Sequence, residues 1–583
     1  MREVLGAGLL IAWLLGAASA YASLPGEPEG PPPNSYHEIR GESESEVVEG
    51  LRVSVAGSAL GPLWGYVPLD VRLQNLEATP RRVRITLSES DGSATLVTRT
   101  VEVAPRQSLV VWLPVPTSAR GGVVHLHAPE PFSRAFSVYT VNRADAVLVV
   151  GTREVFEKGT GLVSMDPGRL PVRFLTAESA PRELASYAGY SQVVVAGPPA
   201  ELHADVWSTL EAYAATGGQL VLLQSPRDLA RRLPLLAGDA PAKAVLQPYA
   251  LGWVRRCAKG LACGGELLSV AEASKTPTEE VGPLHPKLVS RSSRHDSDWY
   301  SAQLGEPMLP GVQAPVGRFL LLITLFVLVV GPGGLMLARR KGPVAVLIAV
   351  PGVSLFTCLA IVLWSLVIDG LSLSAARYSV TWLDRPRARA LTAGVGGYYA
   401  SLTPAPFPLP ASSVLLTVDD GSRTHHLESD WTQGQHVLGG FLPARAYREW
   451  GELGVRPSRA RLTFRSGPEG TRVLNALGAP IVAGYVRDGD VLWSLPELAE
   501  GAEGTASRVA VNSSRQDPLS MLGFSERVSK RFSTHVRDVL LAPLGPGEFV
   551  VKTGGPGADM ATAALDMKLH EGLHLVRGQV DGP

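Results

Sequence analysis

The sequence predicts a multi-domain protein made of an all-β sandwich, a doubly wound α/β domain, two transmembrane helices and a β-rich C-terminal region with one amphipathic helix. A chain of 583 residues corresponds to roughly three or four domains at about 150 residues each. Its 61 glycines and 46 prolines exceed the usual share, which indicates many turns and therefore β-structure. Two uncharged stretches, 319–338 and 343–368, each have the ~20 residues that a helix needs to cross a bilayer.

The composition excludes several classes of protein. Basic and acidic residues each number 54, so no net charge attracts nucleic acid, and we expect no nucleic-acid partner. Three cysteines are too few for a disulfide-rich scaffold. The sequence has no phosphate-binding loop, dinucleotide fingerprint or zinc-ribbon spacing, so we expect no cofactor.

The N-terminus has the pattern of a secretory signal peptide, residues 1–22. Arg2 precedes an apolar stretch that is too short to span a bilayer, and two small-residue cleavage sites follow it. The alternative is an uncleaved N-terminal anchor. Residues 23–45 are rich in proline, glycine and glutamate, which predicts a flexible leader.

The next two regions differ in periodicity. Residues 46–142 alternate between apolar and polar side chains, as antiparallel strands with one buried face do, and 66–75 resembles a strand of bacterial Ig-like modules. Residues 143–275 contain four apolar runs, 146–150, 172–175, 192–196 and 219–223, and an amphipathic stretch at 205–215. Strands that alternate with helices predict a parallel sheet covered on both faces. A linker, 276–316, follows.

Residues 190–225 resemble the core of class I glutamine amidotransferase-like domains. In that family a helix, a Gly-Gly turn and a buried strand lead to a sharp elbow with a catalytic cysteine. Counted from Gly217-Gly218, the elbow falls on Gln224, and Ser225 follows. Because this chemistry needs a thiolate nucleophile, the resemblance implies a catalytically inactive relative. Ser225 is a weak replacement nucleophile, since Pro226 follows it and no G-x-S-x-G surrounds it.

The transmembrane hairpin is predicted at 317–368. Arg339, Arg340 and Lys341 separate the two apolar stretches, and basic loops stay in the cytoplasm. Both flanking regions are then extracytoplasmic, which agrees with an exported N-terminus and places the protein in the bacterial plasma (inner) membrane. Together with the preceding domains, these spans resemble a family of uncharacterised bacterial membrane proteins. That resemblance implies an anchored, exported, non-catalytic protein.

The region after the hairpin is predicted to form a second β-sandwich, 369–510, followed by a helix and short strands, 511–583. The helix begins at Asp517-Pro518, and its apolar residues recur at every fourth position. We expect its apolar face to pack on the sandwich. The alternative is a basic amphipathic helix that lies on a membrane or a partner.

The C-terminus contains the motif H-E-x-x-H at His570, Glu571 and His574. On a helix, the two histidines would bind zinc and the glutamate would activate water. Gly572 disfavours a helix by about 1 kcal/mol, and only nine residues follow His574. We therefore predict a turn and a strand here, with Leu573 and Leu575 facing one side and His574 the other. No metal is expected.

Other residues with chemical potential receive structural interpretations. Cys257 and Cys263 are close enough in an exported stretch to form a local disulfide, while Cys358 is an apolar residue of the second span. Two histidine pairs are interpreted as solvent-facing rather than as metal ligands: His425-His426, with Asp419, Asp420 and Asp430 nearby, and His125 with His127.

The sequence therefore favours a non-enzymatic, membrane-anchored extracytoplasmic interaction or scaffold protein. Its expected partners are the membrane and a protein of the membrane or envelope, for example a transporter. The alternative is an extracytoplasmic hydrolase that uses either the H-E-x-x-H motif or Ser225. Partner identity, ligand, oligomeric state and biological process do not follow from the sequence.

Overall fold

The structure, a computed structural model, is β-rich and contains helices on one sheet and in one hairpin. It describes these residues: 32–39, 43–62, 65–90, 92, 94–119, 121–128, 132–143, 145–198, 201–236, 245–257, 262–273, 308–309, 316–369, 373–410, 412–416, 427–467, 470–509, 522, 543–554, 560, 562 and 565–581. The signal peptide, most of the linker, His425-His426 with Asp419 and Asp420, and the predicted amphipathic helix lie outside them, apart from Leu522.

The part of the chain before the hairpin supplies seventeen of the described strands and four α-helices. The strands are β1 (Ser35–Glu38), β2 (Ser43–Val48), β3 (Leu51–Ala56), β4 (Ser58–Gly61), β5 (Tyr66–Asn75), β6 (Arg81–Ser88), β7 (Thr95–Val103), β8 (Ser108–Pro116), β9 (Gly121–Ala128), β10 (Phe132–Asn142), β11 (Val147–Gly151), β12 (Val163–Ser164), β13 (Leu170–Leu175), β14 (Gln192–Ala196), β15 (Gln219–Leu222), β16 (Val245–Tyr249) and β17 (Gly252–Arg256). The helices are α1 (Arg153–Thr160), α2 (Ala204–Ala215), α3 (Leu229–Arg232) and α4 (Ala262–Ala273).

The hairpin and the part after it supply the remaining described elements. The helices are α5 (Val316–Leu328), a π-helical turn (Val329–Gly333), α6 (Gly334–Lys341) and α7 (Pro343–Asp369). The strands are β18 (Leu373–Asp384), β19 (Arg389–Ala400), β20 (Phe407–Leu409), β21 (Ser413–Leu416), β22 (Glu428–Asp430), β23 (Gln435–Gly439), β24 (Ala446–Pro457), β25 (Arg461–Gly467), β26 (Gly470–Ala476), β27 (Ile481–Asp488), β28 (Val491–Leu495), β29 (Glu503–Thr505), β30 (Ser507–Arg508), β31 (Glu548–Thr553) and β32 (Met567–Gln579).

One sheet, here called the α/β sheet, has the order β12-β1-β13-β11-β14-β15-β17-β16. Its strands pair in parallel except β16, which is antiparallel to β17. Apolar runs form its centre because parallel strands are buried on both faces. Phe156 of α1 and Leu267 of α4 pack on one face, whereas Val206 and Leu210 of α2 belong to the core on the other.

The leader expected to be flexible contributes a strand to this sheet. Ser35–Glu38 pairs in parallel with both β12 and β13. Tyr36 is fully buried, and its hydroxyl donates a hydrogen bond of 2.7 Å to Glu157. This strand could not be predicted from the sequence, because the strand has a single large apolar residue among polar ones. The hydrogen bonds of two neighbouring strands and one buried ring outweigh that composition.

The sandwich is built from two sheets, but one of them crosses the hairpin in sequence. The first sheet has the order β2-β3-β5-β8, and the second has the order β20-β23-β22-β7-β6-β9-β10-β4. In the second sheet Ser429 and Asp430 of β22 pair in parallel with Val97 and Thr98 of β7. Residues that the sequence assigned to a separate C-terminal sandwich therefore cover the edge of the N-terminal one.

The rest of the C-terminal part forms a long sheet, β21-β24-β19-β18-β32-β31-β27-β28-β30, and a small sheet, β25-β26-β29. The prediction of a β-rich C-terminal region is confirmed, because the elements described after residue 369 are almost all strands. Buried residues of the long C-terminal sheet belong to the same hydrophobic core as those of the sandwich and the α/β sheet. The regions before and after the hairpin are thus packed together as one body.

The helices between these regions are apolar and exposed. Among the described residues, one helical stretch, Ile323–Lys341, is long and apolar enough to cross a membrane, with a mean hydropathy of 1.5 and none of it buried. The apolar stretch Pro343–Leu359 of α7 is shorter. The π-helical turn contains Pro332, which removes a backbone donor from the helix. A Cβ on Gly334 would lie 3.9 Å from Val346, so the two helices approach closely there.

Candidate functional site

The most concentrated set of buried charges joins the α/β sheet to the long C-terminal sheet. Glu211 lies on α2, and its side chain is 4% exposed. Arg389 donates bonds of 2.6 and 2.7 Å to the two carboxylate oxygens of Glu211, and Arg387 donates one of 2.9 Å. The hydroxyl of Tyr249 donates a fourth, of 2.7 Å. We call this set, with Asp384, the Glu211 cluster.

The pKa shifts of the Glu211 cluster keep its donors Arg389 and Tyr249 protonated. Burial alone would lower the pKa of Arg389, but its hydrogen bonds to Glu211 and Asp384 raise that pKa above its usual range. Burial, followed by the charge of Glu211, raises the pKa of Tyr249. Arg389 therefore stays charged and Tyr249 stays protonated, and both keep donating to Glu211.

A groove of about 510 Å³ lies beside the Glu211 cluster, between α2, α3 and the turn from β18 to β19. The guanidinium of Arg232 stacks on Trp207 at 5.1 Å from the ring centroid, and its Nε donates to Asp228 at 2.9 Å. Arg231 is exposed on the neighbouring position of α3. We call this the seam groove; its lining is Ala204, Trp207, Ser208, Glu211, Asp228, Arg231, Arg232, Arg387 and Arg389.

A second crevice, of about 440 Å³, opens at the carboxyl ends of β1 and β12 and the start of α1. Glu38 and Arg153 form an ion pair in it. His37 uses Nδ1 to contact the carbonyl of Gly168 at 2.8 Å. Because Arg153 is paired with Glu38 and His37 contacts a carbonyl, this crevice offers fewer open donors than the seam groove.

The elbow position of the amidotransferase resemblance follows β15. Gln224 and Ser225 come directly after the strand, and both are exposed. Among the hydrogen bonds of the described residues, none joins Ser225 to a histidine or a carboxylate. The nucleophile, base and orienting acid that serine chemistry requires are therefore not brought together there in the described part of the chain.

The H-E-x-x-H segment lies in strand β32, as the sequence analysis predicted. His570 Nε2 is 3.1 Å from Ser374 Oγ, whereas His574 Nδ1 is 2.6 Å from Ser379 Oγ. Residues four apart in a strand are separated by about 13 Å along the chain, so the two rings do not converge on one ion.

In this segment His574 is buried, with 2% of its surface exposed, whereas His570 is exposed. The reason is that β32 lies between β18 and β31 in the middle of the long sheet. Burial, and then the charge of Arg377, lower the pKa of His574 to about 4.

The remaining predicted residues have structural contacts. Cys257 and Cys263 are joined in a disulfide with their Cα atoms 5.9 Å apart, and Cys358 is exposed on α7. The rings of His125 and His127 stack on one face of β9 with centroids 6.2 Å apart. Within the described ranges, no three His, Cys, Asp or Glu side chains come together as ligands for a metal. The basic tip, Arg339, Arg340 and Lys341, ends α6.

The Glu211 cluster could not be predicted from the sequence. Glu211 is separated from Arg387 by 176 residues and from Arg389 by 178, so no local spacing links them. Two signals were present. Glu211 is an acidic residue among the apolar ones of the second half of its helix, and three arginines alternate at 385–389.

Comparison with known proteins gives no family. No protein-family model and no curated protein matches the chain. Among solved structures, a Paenibacillus cycloisomaltooligosaccharide glucanotransferase matches at 14% identity and a TM-score of 0.14, over 27% of this chain and 20% of that one. The yeast delta-COP-I mu-homology domain, complexed with a WxWxV peptide, matches at 8% identity and a TM-score of 0.17, over 36% and 98%. Scores this low carry no argument about fold or function.

Proposed function

We propose that this chain is a non-enzymatic, membrane-anchored extracytoplasmic scaffold that holds one folded body at the bacterial inner membrane and presents it to a protein partner. The observation that carries the proposal is the pairing of β22 with β7. These strands lie on opposite sides of the apolar helices in sequence but share one sheet. A chain that leaves the body, enters the membrane and returns to the same sheet must cross an even number of times.

The charge pattern supports the same arrangement. The only basic residues between the two apolar stretches are Arg339, Arg340 and Lys341, which favours a cytoplasmic tip. In this proposal the first span is Ile323–Lys341 and the second is the whole of α7, which is longer than its apolar stretch Pro343–Leu359. With two spans, the whole body lies on the extracytoplasmic side. In this proposal the α/β sheet is a degenerate amidotransferase-like domain, with Gln224 and Ser225 at the former elbow.

A sidedness experiment tests the proposal. In a Cys358→Ala background, single cysteines are placed at Arg82→Cys, at Glu500→Cys and at Arg340→Cys, in the tip. In cells with a permeabilised outer membrane and an intact inner membrane, a membrane-impermeant maleimide should label the cysteines at positions 82 and 500. It should label the cysteine at position 340 only after lysis. Labelling of Arg340→Cys in intact cells, or of one flanking site without the other, would contradict the two-span arrangement.

The scaffold role has its own test. Gentle detergent extraction of the full chain, followed by chemical crosslinking and mass spectrometry, should show a stoichiometric membrane or envelope protein bound to the body. A chain that is isolated without any associated protein across several mild detergents would argue against the interaction role.

A further inference from the structure

The seam groove contains guanidinium groups with unused hydrogen-bonding capacity. The guanidinium of Arg231 is exposed and makes no hydrogen bond to the described residues. In the contacts described, Arg387 donates only through Nη1 and Arg232 only through Nε. Three planar forks thus keep N–H groups available for an oxyanion, which guanidinium groups bind in a bidentate manner.

The charge balance of the groove favours an anion. Its lining has four arginines against Glu211 and Asp228, and Asp384 behind Arg389 adds a third carboxylate. One positive charge remains in excess.

We propose that the seam groove binds a small soluble polyanion of the diphosphate type between α3 and the turn from β18 to β19. Its volume of about 510 Å³ lies within the range of small-molecule sites, roughly 300–1,000 Å³. The anion would receive hydrogen bonds from Arg231 and Arg232 on one side and from Arg387 on the other. This inference goes beyond the scaffold role; only the choice of a soluble anion over a lipid headgroup rests on the proposed membrane placement of α7.

The position of the groove favours a soluble anion over a lipid headgroup, although both carry phosphate. The turn lies at the far end of β18, whose first residue, Leu373, follows closely after helix α7. Twelve strand residues place the turn about 36 Å from that end. A headgroup at the membrane surface next to α7 would not reach it.

Binding across the seam has a measurable consequence. Helix α3 belongs to the α/β sheet and the turn belongs to the long C-terminal sheet, so a bridging anion adds contacts between them. A ligand that binds only the folded protein raises its stability. Diphosphate should therefore raise the unfolding temperature in a saturable way.

The test uses the full chain in detergent, titrated with sodium pyrophosphate at constant ionic strength and followed by calorimetry and thermal unfolding. Arg231→Gln should weaken binding about tenfold, the loss expected for a charged hydrogen-bonding group. Arg231 makes no side-chain hydrogen bond or ion pair with the described residues, so this variant should fold normally. Arg387→Gln should weaken binding as well. Arg227→Gln, a nearby exposed arginine outside the lining, is the matched control and should stay within about twofold of wild type.

Each alternative outcome overturns the proposal. Absence of saturable binding, or an equal effect of Arg227→Gln and Arg231→Gln, would show only non-specific attraction. A second arm places the protein in nanodiscs with or without phosphatidylglycerol and no pyrophosphate. The unfolding temperature should be the same in both. A phosphatidylglycerol-dependent increase that Arg231→Gln removes would identify a lipid headgroup as the ligand.

Discussion

At the scale of single residues, His574 makes the stability of the protein depend on pH. Its folded pKa of about 4 lies below the ordinary value of 6.5, so the unfolded chain takes up a proton first as the pH falls. The stabilising contribution is complete above pH 6.5 and is lost progressively down to about pH 4. A difference of this size corresponds to about 3 kcal/mol.

We predict that His574→Gln flattens this pH dependence while keeping a polar partner for Ser379. Chemical unfolding of the purified chain between pH 4 and pH 7.5 measures it. The matched variant His570→Gln, at an exposed position of the same strand, should keep the wild-type slope. Equal slopes in wild type and His574→Gln would show that His574 is not responsible.

Glu211 is the second residue with a large expected effect. Replacing it with glutamine removes the counter-charge of Arg387 and leaves Arg389 paired with Asp384 alone. Breaking one side of a buried ion pair costs about 3–5 kcal/mol. We expect Glu211→Gln to lower the free energy of unfolding by that order, and Glu497→Gln, at an exposed position, to leave it within about 0.5 kcal/mol. A small effect of Glu211→Gln on the free energy of unfolding would contradict the stabilising role of the Glu211 charge.

At the scale of elements, β1 is expected to hold the α/β sheet together. Tyr36→Ala removes a buried ring that packs edge-on against Phe156 at 5.4 Å, and such truncations cost about 3–5 kcal/mol. Tyr36→Phe keeps the ring and loses only the hydrogen bond to Glu157, which costs about 1 kcal/mol. Urea unfolding of both variants separates packing from hydrogen bonding. Similar losses of unfolding free energy in Tyr36→Ala and Tyr36→Phe would contradict the packing role of the Tyr36 ring.

The pairing of β22 makes a C-terminal residue support the N-terminal sandwich. Trp431 packs against Tyr66 of β5 at 5.8 Å, and its backbone N–H donates to Thr98 of β7 at 2.8 Å. Trp431→Ala should therefore increase amide hydrogen exchange in β7. The control Leu438→Ala, 39% exposed on the adjacent strand, should not. Unchanged amide hydrogen exchange in β7 would contradict the claim that Trp431 supports the N-terminal sandwich.

These elements show which parts of the fold the sequence could predict. The four central strands of the α/β sheet, β13, β11, β14 and β15, were predictable because strands buried on both faces are continuous apolar runs, as in Gln192–Ala196. The same local logic placed His574 in a strand. Strands β1 and β22 escaped prediction because each is short and polar, and their stability comes from neighbours distant in sequence. The Glu211 cluster escaped for the same reason.

At the scale of the whole molecule, the two regions that flank the hairpin share one sheet. Since the sandwich, the α/β sheet and the long C-terminal sheet also share buried core, unfolding of any one exposes apolar surface of the others. We expect the body to unfold cooperatively and the hairpin to act as an anchor rather than as a flexible connection between separate domains.

A disulfide engineered between β7 and β22 tests this arrangement in living cells. Thr98 and Asp430 are register partners on adjacent strands, which lie about 5 Å apart, within the 4.4–6.8 Å that a disulfide needs. Such a bond forms only in an oxidising compartment. The control pair uses Thr98 with His436, one strand further away, at about 10 Å.

The measurement is the crosslink yield in membranes of cells that express the Cys358→Ala chain with Thr98→Cys and Asp430→Cys, read by mass spectrometry of non-reduced peptides. We predict efficient crosslinking for this pair and none for Thr98→Cys with His436→Cys. A chain that carries both cysteines as free thiols, or that crosslinks equally in the control pair, would contradict the shared sheet and with it the proposed return of the chain to the extracytoplasmic side.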